Sequence, residues 1–402
     1  KLLSNSCLRK NKYGVKIYSL DRGETLYEIR SNRLFIPASN AKILTTAVAL
    51  KYLGSNYRYT TRIYTDGVLE NQILKGNLYI KGSGDPKLVT EQLWLLVNEL
   101  RNLPIKKITG NIIADSSFFD ERMRVKTWIK NPGAQAYEAP LGALSFNFNT
   151  IKVYVSPGKK TGDRPEIVIE PENDYIKLEN KARTLKPGRR NRLIVNRVDK
   201  EGHDLITVSG GINLGQPRAQ YFLNITNPTQ YALNVFKSYL GLSEIKFDGQ
   251  LQEGTLPENA VELHAHEGEP LALALRGLNK FSNNFVAEQI LKTIGAEHLG
   301  QPGSTQKGLS VFEEYMKQLG YEPNQYKIFD GSGLSRQNRL SPTIIVDILR
   351  NVKDDLNVYP EFVSALGVMG VDGNVKNRMK KVESSGKARV KIYRNIVLMH
   401  RK

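Results

Sequence analysis

The chain contains a single cysteine, Cys7, in 402 residues. An internal disulfide framework and a cysteine-built metal cluster are therefore excluded. The compartment stays open, because a reducing cytosol and an oxidising periplasm both tolerate such a chain. No run of 18 or more apolar residues occurs, so no membrane-spanning helix is expected. Acidic residues are in deficit: 40 Asp and Glu stand against 58 Lys and Arg, a formal net charge of +18. Such a field attracts an anionic partner, whether nucleic acid, an acidic lipid surface or an anionic wall polymer. Its simplest reading is a solvated basic surface. Zinc-finger and helix-turn-helix patterns are missing, as is an aromatic-basic platform, so nucleic acid is not expected as a partner. Internal repeats and low-complexity segments are also missing.

What is present is a globular composition, 40% hydrophobic and 24% charged. The length predicts two or three domains. Residues 14–30, "GVKIYSLDRGETLYEIR", are two short β-type runs around Asp21-Arg22-Gly23, a hairpin signal. A helix is expected from Ala41 to Leu53, with Gly54 in the stop position. Strand character returns over 57–82. "EQLWLLVNELRN" (91–102) predicts an amphipathic helix, and "KITGNIIADSS" a strand after it. Residues 145–225 alternate in β fashion between turn residues and include the basic stretch "KARTLKPGRRNR" (181–192), expected as a loop or solvated hairpin. From Pro228 the pattern turns helical. Helices are expected from Pro228 to Gly241, over 269–280, and over 284–295 with Gly295 as the stop.

"FIPASNAKILTTAVALKYLG" (35–54) places Ser39 three residues before Lys42 at a helix start. At that spacing two side chains share one face, and the exposed N–H groups and dipole of the helix N-terminus stabilise a developing alkoxide. Lysine serves as a base only when neutral, so burial and positive neighbours must bring its pKa from about 10.4 to near 7. Helix capping explains the same residues, since serine is a preferred N-cap and lysine is common in a first turn. "KFSNNFVAEQIL" places Ser282 and Asn284 between two apolar helices. A serine there can relay a proton and an asparagine amide can hold a substrate carbonyl, although capping again accounts for both.

Several stretches in order carry a family resemblance. They are "PASNAKILTTAVAL", "LYIKGSGDPKL" with "GNIIADSSFFDE", "APLGALSFNFNT", "FSNNFVAEQILKTIG", "DGSGLSRQNRLSP" and "GVDGNVKNRM". Together, from residue 14 to about 391, the chain resembles the class C low-molecular-mass penicillin-binding proteins, serine D-alanyl-D-alanine carboxypeptidases and endopeptidases. The resemblance implies an α/β (α+β) fold: a penicillin-binding, β-lactamase-like catalytic domain with a mainly β insert between the first two motifs. The 240 residues separating Lys42 from Ser282 fit such an insert. The expected division is 1–61 with 259–402 for the catalytic domain, 62–87 with 172–258 for the insert, and a third domain at 88–171 nested in it.

The resemblance also implies roles. Ser39 is the acylated nucleophile, Lys42 its base, Ser282 a proton shuttle and Asn284 a ligand of the substrate amide. Arg336 and Lys391 are expected at the substrate carboxylate. The implied substrate is the peptidoglycan stem peptide, with β-lactams as covalent inhibitors. No cofactor and no metal is implied, and no oligomeric state. The location is expected to be periplasmic or otherwise extracytoplasmic; a first residue of Lys rather than Met fits a cleaved leader.

Two departures stand out. The family's third motif is Lys-Thr-Gly on a strand, whereas Lys391 is followed by Ile392 and Tyr393. The tail "IYRNIVLMHRK" does not resemble the family, which has roughly two further strands and a closing helix. A non-catalytic peptidoglycan-binding relative, or a truncated inactive chain, is therefore the alternative expectation. In addition, some members place an aspartate of the insert near the site; between Trp128 and Pro140 the only acid is Glu138, and it is assigned no such role.

Overall fold

The computed structural model describes residues 13–128, 133–378, 380, 381, 383, 385–393 and 396–401. Cys7 lies outside them. The described chain divides into two compact units: residues up to Arg58, Val125–Trp128 and everything from Glu269 onward form the first, and Tyr59–Arg124 with Ile129–Gly268 the second.

The first unit opens with the expected hairpin. Val15–Ser19 pairs antiparallel with Glu24–Ile29, and the turn closes through a bond from the Gly23 N–H to the Ser19 carbonyl. A 3-10 turn, Ala38–Asn40, then leads into helix α1, Ala41–Tyr52. Every residue from Ala41 to Leu50 is buried. A helix covered on all sides belongs at the centre of its unit.

The second unit is rich in strands, as expected. Its largest sheet has five, in the order Leu251–Glu253, Ile112–Asp115, Leu78–Lys81, Arg58–Thr65, Val261–Pro270. Along Arg58–Thr65 the side chains of Tyr59, Thr61, Ile63 and Thr65 are buried in strict alternation, the signature of a sheet with one face inward. Helices α2 (Thr90–Asn102) and α3 (Pro228–Leu242) belong to this unit, α3 capped by the Asn227 side chain. Buried residues from Ile63 through Ile151 and Ile206 to Ile245 join in one apolar cluster. The basic stretch contains the short strand Arg183–Leu185, followed by a turn at Lys186–Arg189 and exposed arginines.

The first unit resumes with five helices: α4 (Leu271–Phe281), α5 (Asn284–Leu299), α6 (Thr305–Gln318), α7 (Pro342–Asp354) and α8 (Tyr359–Ala365). All five touch α1. Asn283, Ser304 and Ser341 cap α5, α6 and α7 by accepting a backbone N–H. The expected stop at Gly295 is corrected: α5 continues to Leu299. Glycine serves contact there, since a Cβ on Gly295 would sit 2.7 Å from the backbone nitrogen of Gly308 in α6. Ala388–Tyr393 pairs antiparallel with Gly367–Val368 on one side and Ile396–Arg401 on the other. That central strand lies against the Ala38–Asn40 turn. No helix among the described residues is long and apolar enough to cross a membrane, and no group of three or more His, Cys, Asp or Glu among them is arranged to hold a metal.

Candidate active site

The site begins with the turn into α1. Ala38 adopts φ 47°, which sets up the 3-10 turn carrying Ser39. Lys42 follows in the first turn of α1 with its side chain fully buried. The Nζ atom donates to the Ser332 carbonyl at 2.6 Å and to Asn284 Oδ1 at 2.8 Å. Ser39 Oγ lies 3.5 Å away, the longest of the three contacts. The spacing of Ser39 and Lys42 thus does bring their heads together, while the two short bonds reach across 242 and 290 residues of sequence.

Ser282 and Asn284 occupy the joint between α4 and α5. Ser282 is the C-cap of α4, in the left-handed region at φ 60°, ψ 40°. Its Oγ is buried and, among the described residues, without a hydrogen-bond partner. A left-handed serine with an unspent buried hydroxyl is strained and unsatisfied, a combination that proteins retain at functional positions. Asn284 begins α5 and turns its carbonyl oxygen to Lys42.

A loop after α6, "DGSGLSR", forms the other wall, and Asp330 organises it. Its buried carboxylate accepts the N–H groups of Gly333 at 2.8 Å and Ser335 at 2.6 Å, the Asn338 amide at 2.6 Å and the Ser332 hydroxyl at 3.3 Å. The Trp128 indole donates to it at 3.0 Å. Glu288, fully buried in α5, accepts the N–H groups of Gly331 and Ser332 at 3.1 and 2.8 Å. Lys391 comes from the strand Ala388–Tyr393 and is buried, donating to the Asn279 carbonyl at 2.9 Å. Arg336 is exposed and stands outside these bonds. Glu138 is buried and accepts the Gly133 N–H at 2.9 Å, a loop-holding contact within the second unit.

The electrostatics differ from expectation in one respect. Burial brings Lys42 down to about 8, against the opposing pull of Asp330 and Glu288. The lowering therefore comes from desolvation and not from positive neighbours. Lys391 is held well below the usual lysine range, first by burial and then by the charge of Lys42. Burial, with the charge of Asp330, also raises the Glu288 carboxyl.

The arrangement has a chemical consequence. A neutral amine has two N–H donors and one lone pair. Two oxygens that can only accept, Ser332 O and Asn284 Oδ1, take both donors. The lone pair is what remains for Ser39, whose hydroxyl proton it can accept.

The profile of the D-Ala-D-Ala carboxypeptidase 3 (S13) family matches residues 1–392. The chain belongs to that family. Among curated relatives, a D-alanyl-D-alanine carboxypeptidase of Actinomadura sp. is 28% identical over 96% of this chain and 73% of its own length. The carboxypeptidase DacB of Haemophilus influenzae is 24% identical over 90% and 74%. The crystal structure of penicillin binding protein 4 (dacB) from Haemophilus influenzae superposes with a TM-score of 0.83 at 21% identity, covering 96% of this chain and 85% of that one. A second structure of that protein, complexed with a β-lactam, gives 0.75 at 22% identity, over 94% and 82%. The S13 fold, a mixed α/β catalytic unit interrupted by a β-rich insert, is thus the fold of this chain.

Glu288, Asp330 and Ser332 lie in stretches that carry the resemblance, but they and Trp128 are given no role by the sequence.

Proposed function

We propose that the protein is a serine-type D-Ala-D-Ala carboxypeptidase and endopeptidase that cleaves peptidoglycan stem peptides through an acyl-enzyme on Ser39. The observation that carries this reading is the spent pair of N–H donors on Lys42, which leaves its lone pair for the Ser39 hydroxyl. Neutral Lys42 takes the Ser39 proton as the oxygen attacks the carbonyl between the two D-alanines. Collapse of the tetrahedral intermediate breaks the C–N bond. The departing amine receives a proton through Ser282, whose buried hydroxyl has no competing partner among the described residues. D-Alanine leaves, and water, or an amine in cross-link exchange, resolves the ester. Asn284 holds the substrate amide, and the Ser39 N–H serves as one oxyanion donor. Lys391 and exposed Arg336 meet the substrate carboxylate. β-Lactams acylate the same serine. A periplasmic or extracytoplasmic location, and a third domain at 88–171 nested in the insert, belong to the same proposal.

The test is peptide mapping after labelling with a fluorescent penicillin. The label is expected on the tryptic peptide that contains Ser39 and on no other. Label on Ser282, or label that survives Ser39→Ala, overturns the reading.

A smaller effect is expected at position 392, in the strand beside the Ser39 turn. The family's threonine hydroxyl is missing there. Ile392→Thr is expected to raise the acylation rate roughly tenfold, the worth of one hydrogen bond to a charged group. Stopped-flow rates with a chromogenic β-lactam check it, and an unchanged rate would mean that this chain binds its substrate carboxylate without that hydroxyl.

A further inference from the structure

Gly331 and Ser332 of the "DGSGLSR" loop have all four of their peptide N–H and carbonyl groups taken by side chains of α1 and α5. The Gly331 carbonyl accepts from Thr45 Oγ1 of α1 at 2.6 Å, and the Ser332 carbonyl accepts from Lys42 of the same helix at 2.6 Å. The two N–H groups both go to Glu288 of α5, one to each carboxyl oxygen. Asn284, the other acceptor for Lys42, lies four residues before Glu288 and so on the same side of α5. One rigid helix therefore supplies one acceptor directly and holds the backbone that carries the second.

We propose that Glu288 is a positioning residue for acylation. By gripping both N–H groups of the 331–332 backbone it fixes the Ser332 carbonyl opposite Lys42, and through that bond it directs the Lys42 lone pair toward Ser39. This rests on the assignment of Ser39 as nucleophile and Lys42 as base. Asp330 plays a different part. Its bonds run within the loop and to Trp128, so it sets the loop's shape but not its station against α5.

The chemistry demands a carboxylate. Two N–H groups need two acceptor oxygens, and a glutamate supplies them from one side chain. Glutamine has the same volume but only one acceptor; its amide NH2 would face the second N–H. Aspartate keeps the charge but is one methylene short of the loop. Ionisable neighbours sharpen the readout. Lys42 feels Glu288 and Asp330, Lys391 feels Lys42, and Lys292 is a further buried lysine one turn along α5.

The experiment uses the whole chain with Glu288→Gln, Glu288→Asp and Ser39→Ala, and Ile290→Val as a buried control in the same helix. Acylation by a fluorescent penicillin is timed across pH 6–10, as an order-of-magnitude window around the lysine titration, and thermal unfolding is recorded for each. Glu288→Gln is expected to slow acylation about 100-fold, the scale for a reacting group displaced by about an ångström. Its base limb should move to lower pH, because Lys42 loses the negative neighbour that Glu288 becomes once ionised, at about 8. Glu288→Asp should be slowed without that move, and Ile290→Val should match the parent. A merely structural Glu288 would lower thermal stability yet leave the rate and limb of the folded protein unchanged. Folded Glu288→Gln acylating within about twofold of the parent, with its limb in place, overturns the proposal. If the Gln form does not fold, a parent-like rate in Glu288→Asp does the same. Label that survives Ser39→Ala instead overturns the underlying assignment, so the two failures are told apart.

Discussion

Lys42→Arg is expected to reduce the acylation rate about 10²- to 10⁴-fold, the usual contribution of a positioned general base. The lysine can be a base because its buried amine loses its proton at about 8, so a usable fraction is neutral near pH 7. A guanidinium never deprotonates in that range and offers donors only. It can still bond the Ser332 carbonyl and Asn284 Oδ1, so the loop keeps its anchors, but no lone pair is left for Ser39. The sign of the pH dependence follows. Below about 8 the unsubstituted protein should speed up tenfold for each rise of about one pH unit, as the neutral fraction grows, and level off above it. The Arg variant should lack that limb. Rates from penicillin labelling, taken beside thermal unfolding curves, check both points. A folded Arg variant that acylates at the parent rate would leave Lys42 as a structural partner only.

The second large effect is expected from Gly333→Ala. Gly333 sits at φ 79°, and a Cβ added to it would overlap the Ala38 carbonyl, a backbone atom in the turn that carries Ser39. The loop and the nucleophile turn touch there with nothing between them. Alanine brings left-handed strain as well as the overlap, and the neighbour that must yield is main chain, itself held at φ 47°. A destabilisation of about 2–4 kcal/mol is expected, with acylation slowed about 100-fold or more in the molecules that remain folded. Gly320→Ala separates the two causes. Gly320 is also left-handed, at φ 84°, but a Cβ there meets open space. That variant should lose only about 1 kcal/mol and acylate normally. Equal losses of activity in both would show that strain alone, and not the contact with Ala38, is responsible.

Much of the site was legible because two of its elements are local. Ser39 and Lys42 meet through the period of one helix, and Ser282 and Asn284 flank a single joint between helices, so spacing alone places each pair. The β character of the insert was legible for the same reason: alternation along Arg58–Thr65 is written residue by residue. The rest is not local. Glu288 and Asp330 look like ordinary acids until folding buries them, Glu288 against backbone N–H groups more than forty residues away in sequence. The decisive partner of Lys42 is a main-chain carbonyl, which every residue possesses and no sequence pattern marks. Gly295 misled because a glycine near the end of a helical pattern reads as a stop, whereas its missing side chain makes room for α6. Arg336 was expected at the substrate carboxylate through the resemblance, and the fold leaves it exposed.

The insert between the first two motifs also sets a timetable for biosynthesis. Lys42 is made 290 residues before the carbonyl that receives its shortest bond. At about 10 residues per second, the ribosome needs roughly half a minute to supply that partner. Until then the lysine has no buried acceptors and must stay a hydrated ammonium, with the ordinary pKa of one. The second unit, by contrast, is finished at Gly268, before Ser282, Asn284, Glu288 or Asp330 has been added. Desolvation of Lys42 is therefore a late event in the life of the nascent chain. A chain stalled short of Ser332 would carry Ser39, Lys42 and a complete insert, and would still lack the carbonyl that receives the shortest bond of Lys42.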